Sequence, residues 1–311
     1  MPQRKYLVTG AAGFMGSAVA KQLIENGHEV WTIDNLRTGS KENLPDGIHF
    51  IEGGCQDPKS IDALQKTRFD AIFHIAGQSS GEISFEDPVY DLRTNTESTL
   101  RLIQYGLRVG CTRFIYASSM SVYGATPDQP VTEDHSTQPL SFYGVGKIAS
   151  EHYMRIYESK GLRPTSLRLC NIYGPNQNMN NLKQGMVSIY LAQLIKNDKI
   201  IVKGSKDRYR DFICIHDVVD FCLRIVDDPK SYGGIYNLGT GIRTTVEELL
   251  NLLLSISGIK KEIAFSEGTP GDQKGVYGDV SLIKDTFGFE CQYDLKKGLK
   301  EMIEWAQKLN W

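Results

Sequence analysis

The sequence lacks a long apolar segment, an excess of either charge and a secretory leader pattern. No apolar run approaches the roughly 18 residues that a membrane span requires. The 35 basic and 37 acidic residues nearly cancel, to a net charge of −2, so there is no basic footprint for nucleic acid or for a membrane surface. The first ten residues have no apolar core of the kind that a signal peptide carries. These absences leave a globular chain of 311 residues, which suits one large domain or two interlocked ones.

Metal-ligand spacing is also missing. No C-x-x-C pair occurs among the six cysteines, which are Cys55, Cys111, Cys170, Cys214, Cys222 and Cys291. Most of them stand in apolar runs and are expected to behave as small buried hydrophobic residues. We therefore expect no metal site, unpaired thiols and a reducing, cytoplasmic location.

What the first half does contain is a regular alternation of strand and helix patterns. Helices are predicted at Gly13–Asn26, from Pro58, at Val89–Val109 and at Ser141–Lys160. The predicted strands are Lys5–Thr9, Glu29–Asp34, Ile48–Gly53, Ala71–Ala76, Arg113–Ser118 and Pro164–Cys170. Such alternation predicts an α/β fold, in which crossover helices cover both faces of a doubly wound parallel sheet.

The rhythm changes near residue 170. The run 174–181 is polar and rich in turn residues, so it is predicted as a loop. Later elements are predicted at about Gly185–Lys196, Lys199–Lys203, Asp211–Ile215, Ile235–Leu238, and as helices opening at Asp217 and from Thr245. We expect residues 1–170 to form one domain and residues 171–311 a smaller α/β region that packs over the ends of the first sheet.

A glycine motif follows the first predicted strand. Gly10, Gly13 and Gly16 give G-x-x-G-x-x-G at a strand-to-helix junction, where a tight turn and a helix N-terminus can receive a pyrophosphate. Asp34 ends the next strand, 24 residues after Gly10, where an acid binds the adenosine ribose hydroxyls. The pattern predicts a Rossmann-type domain that binds NAD rather than NADP, although Arg37 stands close enough to weaken that preference.

The fourth strand ends in small residues. Ala76, Gly77 and Gln78 follow it, which is consistent with backbone that lies against the cofactor. His74 is expected to be buried and hydrogen-bonded rather than catalytic. Asn95, in the long helix, is expected either to hold a backbone loop or to touch the cofactor.

A tyrosine and a lysine stand four residues apart at the start of a predicted helix. Tyr143 and Lys147 therefore share one helix face and can form an acid/base unit. Ser118 and Ser119 follow the fifth strand, at the sheet edge where open α/β sheets bind ligands.

Taken in order, these segments resemble the extended short-chain dehydrogenase/reductases, and specifically their NAD-dependent nucleotide-sugar epimerase/dehydratase family. The resemblance extends over essentially the whole chain. Further matching segments are Val122-Tyr123-Gly124, Asn171 to Pro175, Arg210-Asp211-Phe212, Asp217-Val218-Val219, Asn237 to Gly241 and Pro270-Gly271-Asp272.

The resemblance implies roles for individual residues. Tyr143 as phenolate, Lys147 and Ser119 would be catalytic, with the pKa of Tyr143 lowered by Lys147 and by the nicotinamide. Cofactor contacts are implied for Gly10, Gly13, Phe14, Met15, Gly16, Asp34, Asn35, Cys55, Ala76, Gly77, Gln78, Asn95, Tyr143 and Lys147. Substrate contacts are implied for Ser119, Ser121, Asn171, Val187, Arg210 and Asp272.

The resemblance also bears on the reaction. Dehydratases and sugar-acid decarboxylases of the family carry acids one or two positions after the catalytic hydroxyl, where this chain has Met120 and Ser121. That favours a 4-epimerase for a UDP-hexose or a UDP-N-acetylhexosamine, by transient oxidation at C4. The alternatives are a 4-keto-sugar reductase, a divergent 4,6-dehydratase and, more distantly, a non-catalytic dinucleotide sensor.

Three departures and one assembly expectation complete the prediction. Gly54 replaces an acid that often contacts adenine, Thr269 replaces an arginine that often binds the diphosphate, and Arg168-Leu169-Cys170 lacks aromatic residues found in some epimerases. We also expect a homodimer, formed by the helices Val89–Val109 and Ser141–Lys160. Their apolar residues beyond a single stripe are Leu92, Leu100, Leu102, Ile103, Leu107, Ile148, Tyr153, Met154 and Ile156.

Overall fold

The computed structural model describes residues 2–268 and 273–309. The strands in this part of the chain are β1 (Lys5–Thr9), β2 (Glu29–Asp34), β3 (His49–Glu52), β4 (Ala71–His74), β5 (Arg113–Ser119), β6 (Arg163–Leu169), β7 (Asn171–Tyr173), β8 (Lys199–Lys203), β9 (Tyr209–Arg210), β10 (Phe212–Cys214), β11 (Gly234–Leu238), β12 (Thr244–Thr245), β13 (Glu262–Ser266) and β14 (Gly275–Val276).

The α-helices alternate with these strands. They are α1 (Phe14–Glu25), α2 (Pro58–Ala63), α3 (Gly81–Glu86), α4 (Pro88–Leu92), α5 (Ser98–Val109), α6 (Phe142–Glu158), α7 (Met186–Lys196), α8 (Ile215–Ile225), α9 (Val246–Ser257), α10 (Ser281–Phe287) and α11 (Leu295–Gln307). None of the helices within the described residues is both long enough and apolar enough to cross a bilayer.

A parallel sheet organises the molecule. Among the described residues it has seven strands, in the order β3-β2-β1-β4-β5-β6-β11. Its two faces are both covered, since Tyr6 and Val8 of β1 lie in one apolar cluster and the intervening Leu7 lies in another. The doubly wound parallel α/β fold predicted from the sequence is therefore confirmed.

The strand order reverses between β1 and β4. The chain runs outward from β1 to β3 and then returns to β4 on the other side of β1. At such a point the connections diverge and leave a crevice at the carboxyl ends of the strands, which is where open α/β sheets bind ligands.

The second part of the chain contributes to the same sheet. β11 pairs with β6 from Gly234 opposite Thr165 to Leu238 opposite Leu169. The remaining strands form small sheets, among them β7 with β10 and β8 with β13, beyond the carboxyl ends of the main strands. The two parts thus share a sheet.

The predicted helix Val89–Val109 is interrupted. Between α4 and α5 the residues Arg93–Glu97 form a π-helical turn. Two side-chain hydroxyls donate to one backbone carbonyl of this turn, that of Asn95. The donors are Thr99 Oγ1 at 2.6 Å and Ser150 Oγ of α6 at 3.1 Å. Competition of this kind widens a helix locally, and π turns are frequent beside functional sites.

The start of α8 also differs from the prediction. α8 begins at Ile215 rather than Asp217, directly after β10. Asp217 therefore stands inside the first turn, and its carboxylate accepts the backbone N–H groups of Gln292 and Tyr293 at 2.8 and 3.2 Å. An acid in a first turn complements the helix dipole, which is why it resembled a helix start.

Candidate active site

A cleft of about 910 Å³ lies over the carboxyl ends of β1, β2, β4, β5 and β6. One wall is formed by the loops that follow these strands. The other is formed by the loop before α7 and by residues of β8, β9 and β14. Most of the residues with predicted site roles line this cleft, so the strand ends bring together segments that are far apart in the sequence.

The glycine motif forms one end of the cleft. Gly10 has φ +77, and a Cβ on it would lie 3.0 Å from the backbone nitrogen of Ala76. A Cβ on Gly16 would clash with the carbonyl of Gly10, so α1 can pack this closely only because the residue is glycine. α1 starts after Gly13 with no side-chain cap, which leaves its first N–H groups for an anion in the cleft. Phe14 and Met15 line the same end.

Asp34 is held at the end of β2 by backbone. Its carboxylate accepts the N–H groups of Ala12 at 3.0 Å and Leu36 at 2.8 Å. Burial raises its pKa above the usual value, against these two hydrogen bonds. Each carboxylate oxygen retains acceptor capacity toward the cleft, as a pair of ribose hydroxyls requires. Asn35 and the buried Cys55 line the cleft beside it.

Arg37 also lines this end of the cleft. Its guanidinium lies 3.9 Å from the ring centroid of Tyr90, which follows Pro88 in α4 on the opposite side. The arginine that could have favoured a 2′-phosphate is therefore stacked across the cleft on an aromatic ring.

The loop Ala76–Gln78 lies against the middle of the cleft. Asn95 is buried behind it, does not line the cleft, and donates from Nδ2 to the carbonyl of Gln78 at 2.9 Å. A Cβ on Gly77 would overlap the Asn95 side-chain oxygen. Of the two roles expected for Asn95, this placement corresponds to holding the loop. His74 is fully buried and bonded to Thr9 and Thr99, as the sequence indicated.

Tyr143, Lys147 and Ser119 meet beyond this loop. α6 starts at the Ser141 cap, whose Oγ accepts the N–H of Gly144 at 3.2 Å. The first turn carries Tyr143 and the second carries Lys147, whose Nζ lies 5.5 Å from the Tyr143 ring centroid. The Lys147 ammonium donates to the carbonyl of Ala117 at 2.8 Å, which ties α6 to the end of β5. Ser119 Oγ is 3.1 Å from Ser121 Oγ.

Burial governs the ionisation of this pair in the protein. It raises the pKa of Tyr143 to about 12, although a hydrogen bond with Ser119 acts in the opposite direction. Burial also lowers the pKa of Lys147 to about 8, against the nearby charges of Asp91 and Glu151. The pKa of Tyr143 is therefore raised in the protein alone and not lowered as expected, because loss of solvation is the largest influence on the phenol.

Residues of the second part form the far end of the cleft. Ser121, Asn171 and Arg210 line it. Arg210 is held by backbone carbonyls, Tyr209 O at 2.7 Å and Gln273 O at 3.1 Å. Val187 lies in the core and does not line the cleft. α7 begins at Met186, which lines the cleft, and the next side chain lies on the buried face of the helix.

One predicted contact and one departure from the family pattern cannot be placed. Asp272, with a predicted substrate contact, and Thr269, a departure from the family pattern, lie outside the described residues.

Several residues of this region were not anticipated. Lys183, Gln184, Lys203 and Arg208 line the cleft, although the sequence shows them only as polar residues of loops and strand ends. Two lysines among them pair with α3: Lys183 with Glu86 at 2.6 Å and Lys203 with Glu82 at 3.2 Å.

Three buried charges in or near α6 were also missed. They are Asp91, Glu151 and Arg168. Arg168 pairs with Glu151 at 2.8 Å and donates to the phenol of Tyr123 at 2.9 Å. The strand that lacks the aromatic residues thus turns its arginine into the core.

Comparison with known proteins agrees with this geometry. A sequence model of the NAD dependent epimerase/dehydratase family matches residues 6–239. The crystal structure of a UDP-glucose 4-epimerase with UDP-glucose from Thermotoga maritima is 33% identical, with a TM-score of 0.94 over 98% of this chain and 99% of that one. A putative UDP-glucose 4-epimerase of Methanocaldococcus jannaschii is 31% identical over 98% of this chain and 99% of its own length. UDP-glucuronic acid decarboxylase 3 of Arabidopsis thaliana is 30% identical over 97% and 89%.

Proposed function

Because the chain belongs to the NAD dependent epimerase/dehydratase family, we propose that it is an NAD-dependent nucleotide-sugar 4-epimerase for a UDP-hexose or a UDP-N-acetylhexosamine. One observation carries the proposal. Ser119, Tyr143 and Lys147 meet in a cleft beside the Ala76–Gln78 loop, and the two positions after Ser119 are Met120 and Ser121 rather than acids.

The residues at one end of the cleft fit NAD. The uncapped start of α1 accepts the pyrophosphate, the close glycine packing leaves room for it, and Asp34 accepts the adenosine ribose hydroxyls. Asp34 also disfavours a 2′-phosphate by charge repulsion. When bound, NAD supplies the acceptor for the hydride of the sugar carbon and then returns that hydride.

Proton transfer belongs to the chain itself. With the positive nicotinamide of NAD beside it, Tyr143 would be the phenolate that takes the proton of the sugar hydroxyl at C4, and the phenol gives this proton back when the ketone is reduced on its other face. Ser119 shares a hydrogen bond with Tyr143 and holds the same oxygen. Lys147 carries positive charge close to the phenol and fixes the start of α6 to Ala117.

The distribution of carboxylates favours epimerisation over elimination or decarboxylation. Among the described residues that line the cleft, the acids are Asp34 and Glu82. Asp34 stands at the adenosine end of the cleft, and Glu82 of α3 pairs with Lys203 of β8. Met120 is buried and Ser121 bonds to Ser119, so neither position after Ser119 offers a second acid or base. This matters because a decarboxylase is also similar to the chain.

Incubation of the enzyme with NAD and a panel of UDP-sugars, followed by NMR of the products, tests the proposal. We expect interconversion at C4 with no net consumption of NAD. In a parallel incubation with added NADH or NADPH, stoichiometric loss of the reduced cofactor indicates a reductase. A 4-keto-6-deoxy sugar indicates a dehydratase, and a pentose product indicates a decarboxylase. Any of these three results, or no turnover of any sugar, contradicts the 4-epimerase proposal.

A homodimer accompanies the proposal. The apolar residues of α6 at positions 142, 145, 153 and 156 recur at helical spacing and are exposed. Val89 and Leu92 of α4, which packs against α6, are exposed too. An apolar face of this extent is typical of a subunit interface, and its occupant in the proposal is a second copy of the chain.

The six free cysteines support a reducing cytoplasm.

A further inference from the structure

Asp91 is a buried carboxylate that no step described so far uses. It stands in α4, four residues before Asn95, and is 1% exposed. Its Oδ1 accepts Gln78 Nε2 at 2.7 Å and Asn95 Nδ2 at 3.2 Å. Both donors are neutral amides, so hydrogen bonds alone leave a full negative charge inside the protein. A buried charge in this state is costly unless a positive group lies near.

Lys147 follows Gly146 in α6, and a Cβ on Gly146 would lie 3.5 Å from Asp91 Oδ2, so Lys147 is the positive residue next to this contact. Asp91 is the largest influence that keeps the lysine charged, while burial acts against that charge. Burial raises the pKa of Asp91, and the hydrogen bond from Gln78 and the charge of Lys147 act against that rise. The two charges therefore stabilise each other across the contact between α4 and α6.

The packing at this contact is built for close approach. A Cβ on Gly146 would lie 3.5 Å from Asp91 Oδ2 and 3.2 Å from Asn95 Cβ, so a larger residue there would push α6 away. The Thr96 hydroxyl donates to the carbonyl of Gly146 at 3.3 Å. The π turn that follows α4 brings these groups to the face of α6.

The other groups that face Lys147 do not replace Asp91. Glu151 is already bonded to Arg168 and to the hydroxyl of Ser118. In the protein alone, the remaining titratable neighbours are neutral. Burial lowers the pKa of His74 to about 3, raises that of Tyr143 to about 12, and raises that of Tyr116, whose ring lies 4.9 Å from Lys147 Nζ.

We propose that Asp91 is a positioning residue of the reaction, which places a negative charge behind Lys147 and fixes the amide of Gln78 beside the cofactor. The charge keeps the ammonium protonated while Tyr143 exchanges the proton of the sugar hydroxyl. The hydrogen bonds to Gln78 and Asn95 keep the Ala76–Gln78 loop in register with α6. This inference rests on the proposed function for its role in turnover, but the charge pairing can be tested without any substrate.

The test compares Asp91→Asn with Asp87→Asn in the NAD-loaded protein. Asp87 caps the same helix by accepting Tyr90 N at 3.0 Å and is exposed, so it controls for effects on α4 itself. NMR with isotope-labelled lysine, assigned through Lys147→Arg, follows the titration of Lys147 directly. We expect a pKa of about 8 in the parent and in Asp87→Asn, and a clearly lower value in Asp91→Asn. An unchanged Lys147 pKa in Asp91→Asn overturns the proposal, whatever sugar the enzyme acts on.

A second measurement covers the case in which Asp91→Asn is too unstable to titrate. Lys147→Met and the double variant Asp91→Asn/Lys147→Met complete a thermal unfolding cycle. We expect the loss in unfolding temperature of the double variant to be smaller than the sum of the losses of the two single variants. Each single variant leaves one buried charge uncompensated, whereas the double variant leaves none. Additive losses overturn the charge pairing.

Turnover separates this inference from the proposed function. In an active enzyme, Asp91→Asn should lower kcat at neutral pH by roughly tenfold, with KM for the nucleotide sugar nearly unchanged. If no sugar is epimerised, the proposed function fails while the titration and the unfolding cycle still decide the role of Asp91.

Discussion

Arg168 and Glu151 form an ion pair inside the protein, with Arg168 Nη2 2.8 Å from Glu151 Oε2 and both side chains under 5% exposed. The pair joins β6 to α6, one turn after Lys147. The second carboxylate oxygen accepts the hydroxyl of Ser118 at the end of β5. β5 and α6, which carry the proposed catalytic residues, therefore meet β6 on one buried carboxylate.

Removal of one partner should destabilise the protein strongly. We expect Arg168→Met to lower the free energy of unfolding by about 3–5 kcal/mol, because Glu151 is left buried without its cation. The double variant Arg168→Met/Glu151→Leu should lose less than the sum of the single variants. Lys284→Met, which breaks an exposed pair with Glu290, should change stability little. Denaturant unfolding measures all four, and a small loss in Arg168→Met would show that the pair contributes little.

Tyr143→Phe removes the proposed proton carrier and retains the aromatic ring. We expect kcat to fall by about 10²–10⁴-fold, since a phenylalanine cannot accept the proton of the sugar hydroxyl. The matched control is Tyr157→Phe on the same helix, whose hydroxyl accepts a hydrogen bond from Gln104 at 3.4 Å. NMR of epimer formation measures both. Turnover in Tyr143→Phe close to that of the control would point to another base, and a retained non-enzymatic function would point to a dinucleotide sensor.

Local patterns explain why much of this site was predictable. The glycine spacing after β1, Asp34 at the end of β2 and the four-residue step from Tyr143 to Lys147 are each set within one element and its turn. Their chemistry follows from the strand-to-helix junction and from the helix period, so a single sequence suffices.

Residues that act across elements were not predictable in the same way. Asp91 and Glu151 stand in helical segments where an acid ordinarily faces solvent, and only the packing of α4 against α6 and of α6 against β6 buries them. The π turn was missed because hydroxyl groups of two helices compete for one carbonyl, Asn95 O. Val187 was expected at the substrate, but its side chain lies on the buried face of α7.

Asp34 should control cofactor choice. We expect Asp34→Asn to weaken NAD binding by about 10–100-fold, because a charged acceptor for the ribose hydroxyls becomes neutral. The ratio of NAD to NADP affinity should fall, since the repulsion of a 2′-phosphate is removed. Calorimetric titration of both cofactors measures this, with Glu29→Gln at the other end of β2 as the control. Unchanged NAD affinity in Asp34→Asn would place the adenosine ribose elsewhere.

Lys147 should give activity and stability opposite pH dependences. Its pKa of about 8 lies below the unfolded value of 10.5, so between these pH values the unfolded chain holds a proton that the folded protein has released. The contribution of Lys147 to the free energy of unfolding therefore rises, by at most about 3 kcal/mol, as the pH increases from about 8 to 10.5. Below about pH 8 the folded protein bears the full cost of burying the ammonium. Turnover should fall above about pH 8, as the ammonium is lost.

Comparison with Lys147→Met isolates this effect from the other groups that titrate at high pH. The difference in unfolding free energy between the parent and Lys147→Met should change in favour of the parent as the pH rises through the window. Lys160→Met, at the exposed end beyond α6, should show no such change. A difference that stays constant between pH 8 and 10.5 would mean that Lys147 is not perturbed by burial.

The exposed apolar residues of α4 and α6 should form the interface between two copies of the chain. Ile156 is 62% exposed, and a carboxylate in its place would be buried without a cation when two such faces meet. We expect the parent to have twice the mass of one chain by light scattering, and Ile156→Asp to shift towards the single-chain mass. Ile242→Asp is the matched control, since Ile242 is 59% exposed but lies outside these helices. A single-chain mass for the parent would contradict the dimer. Equal effects of the two variants would show that this face is not the interface, because a charge at the contact should separate the subunits more than a charge elsewhere.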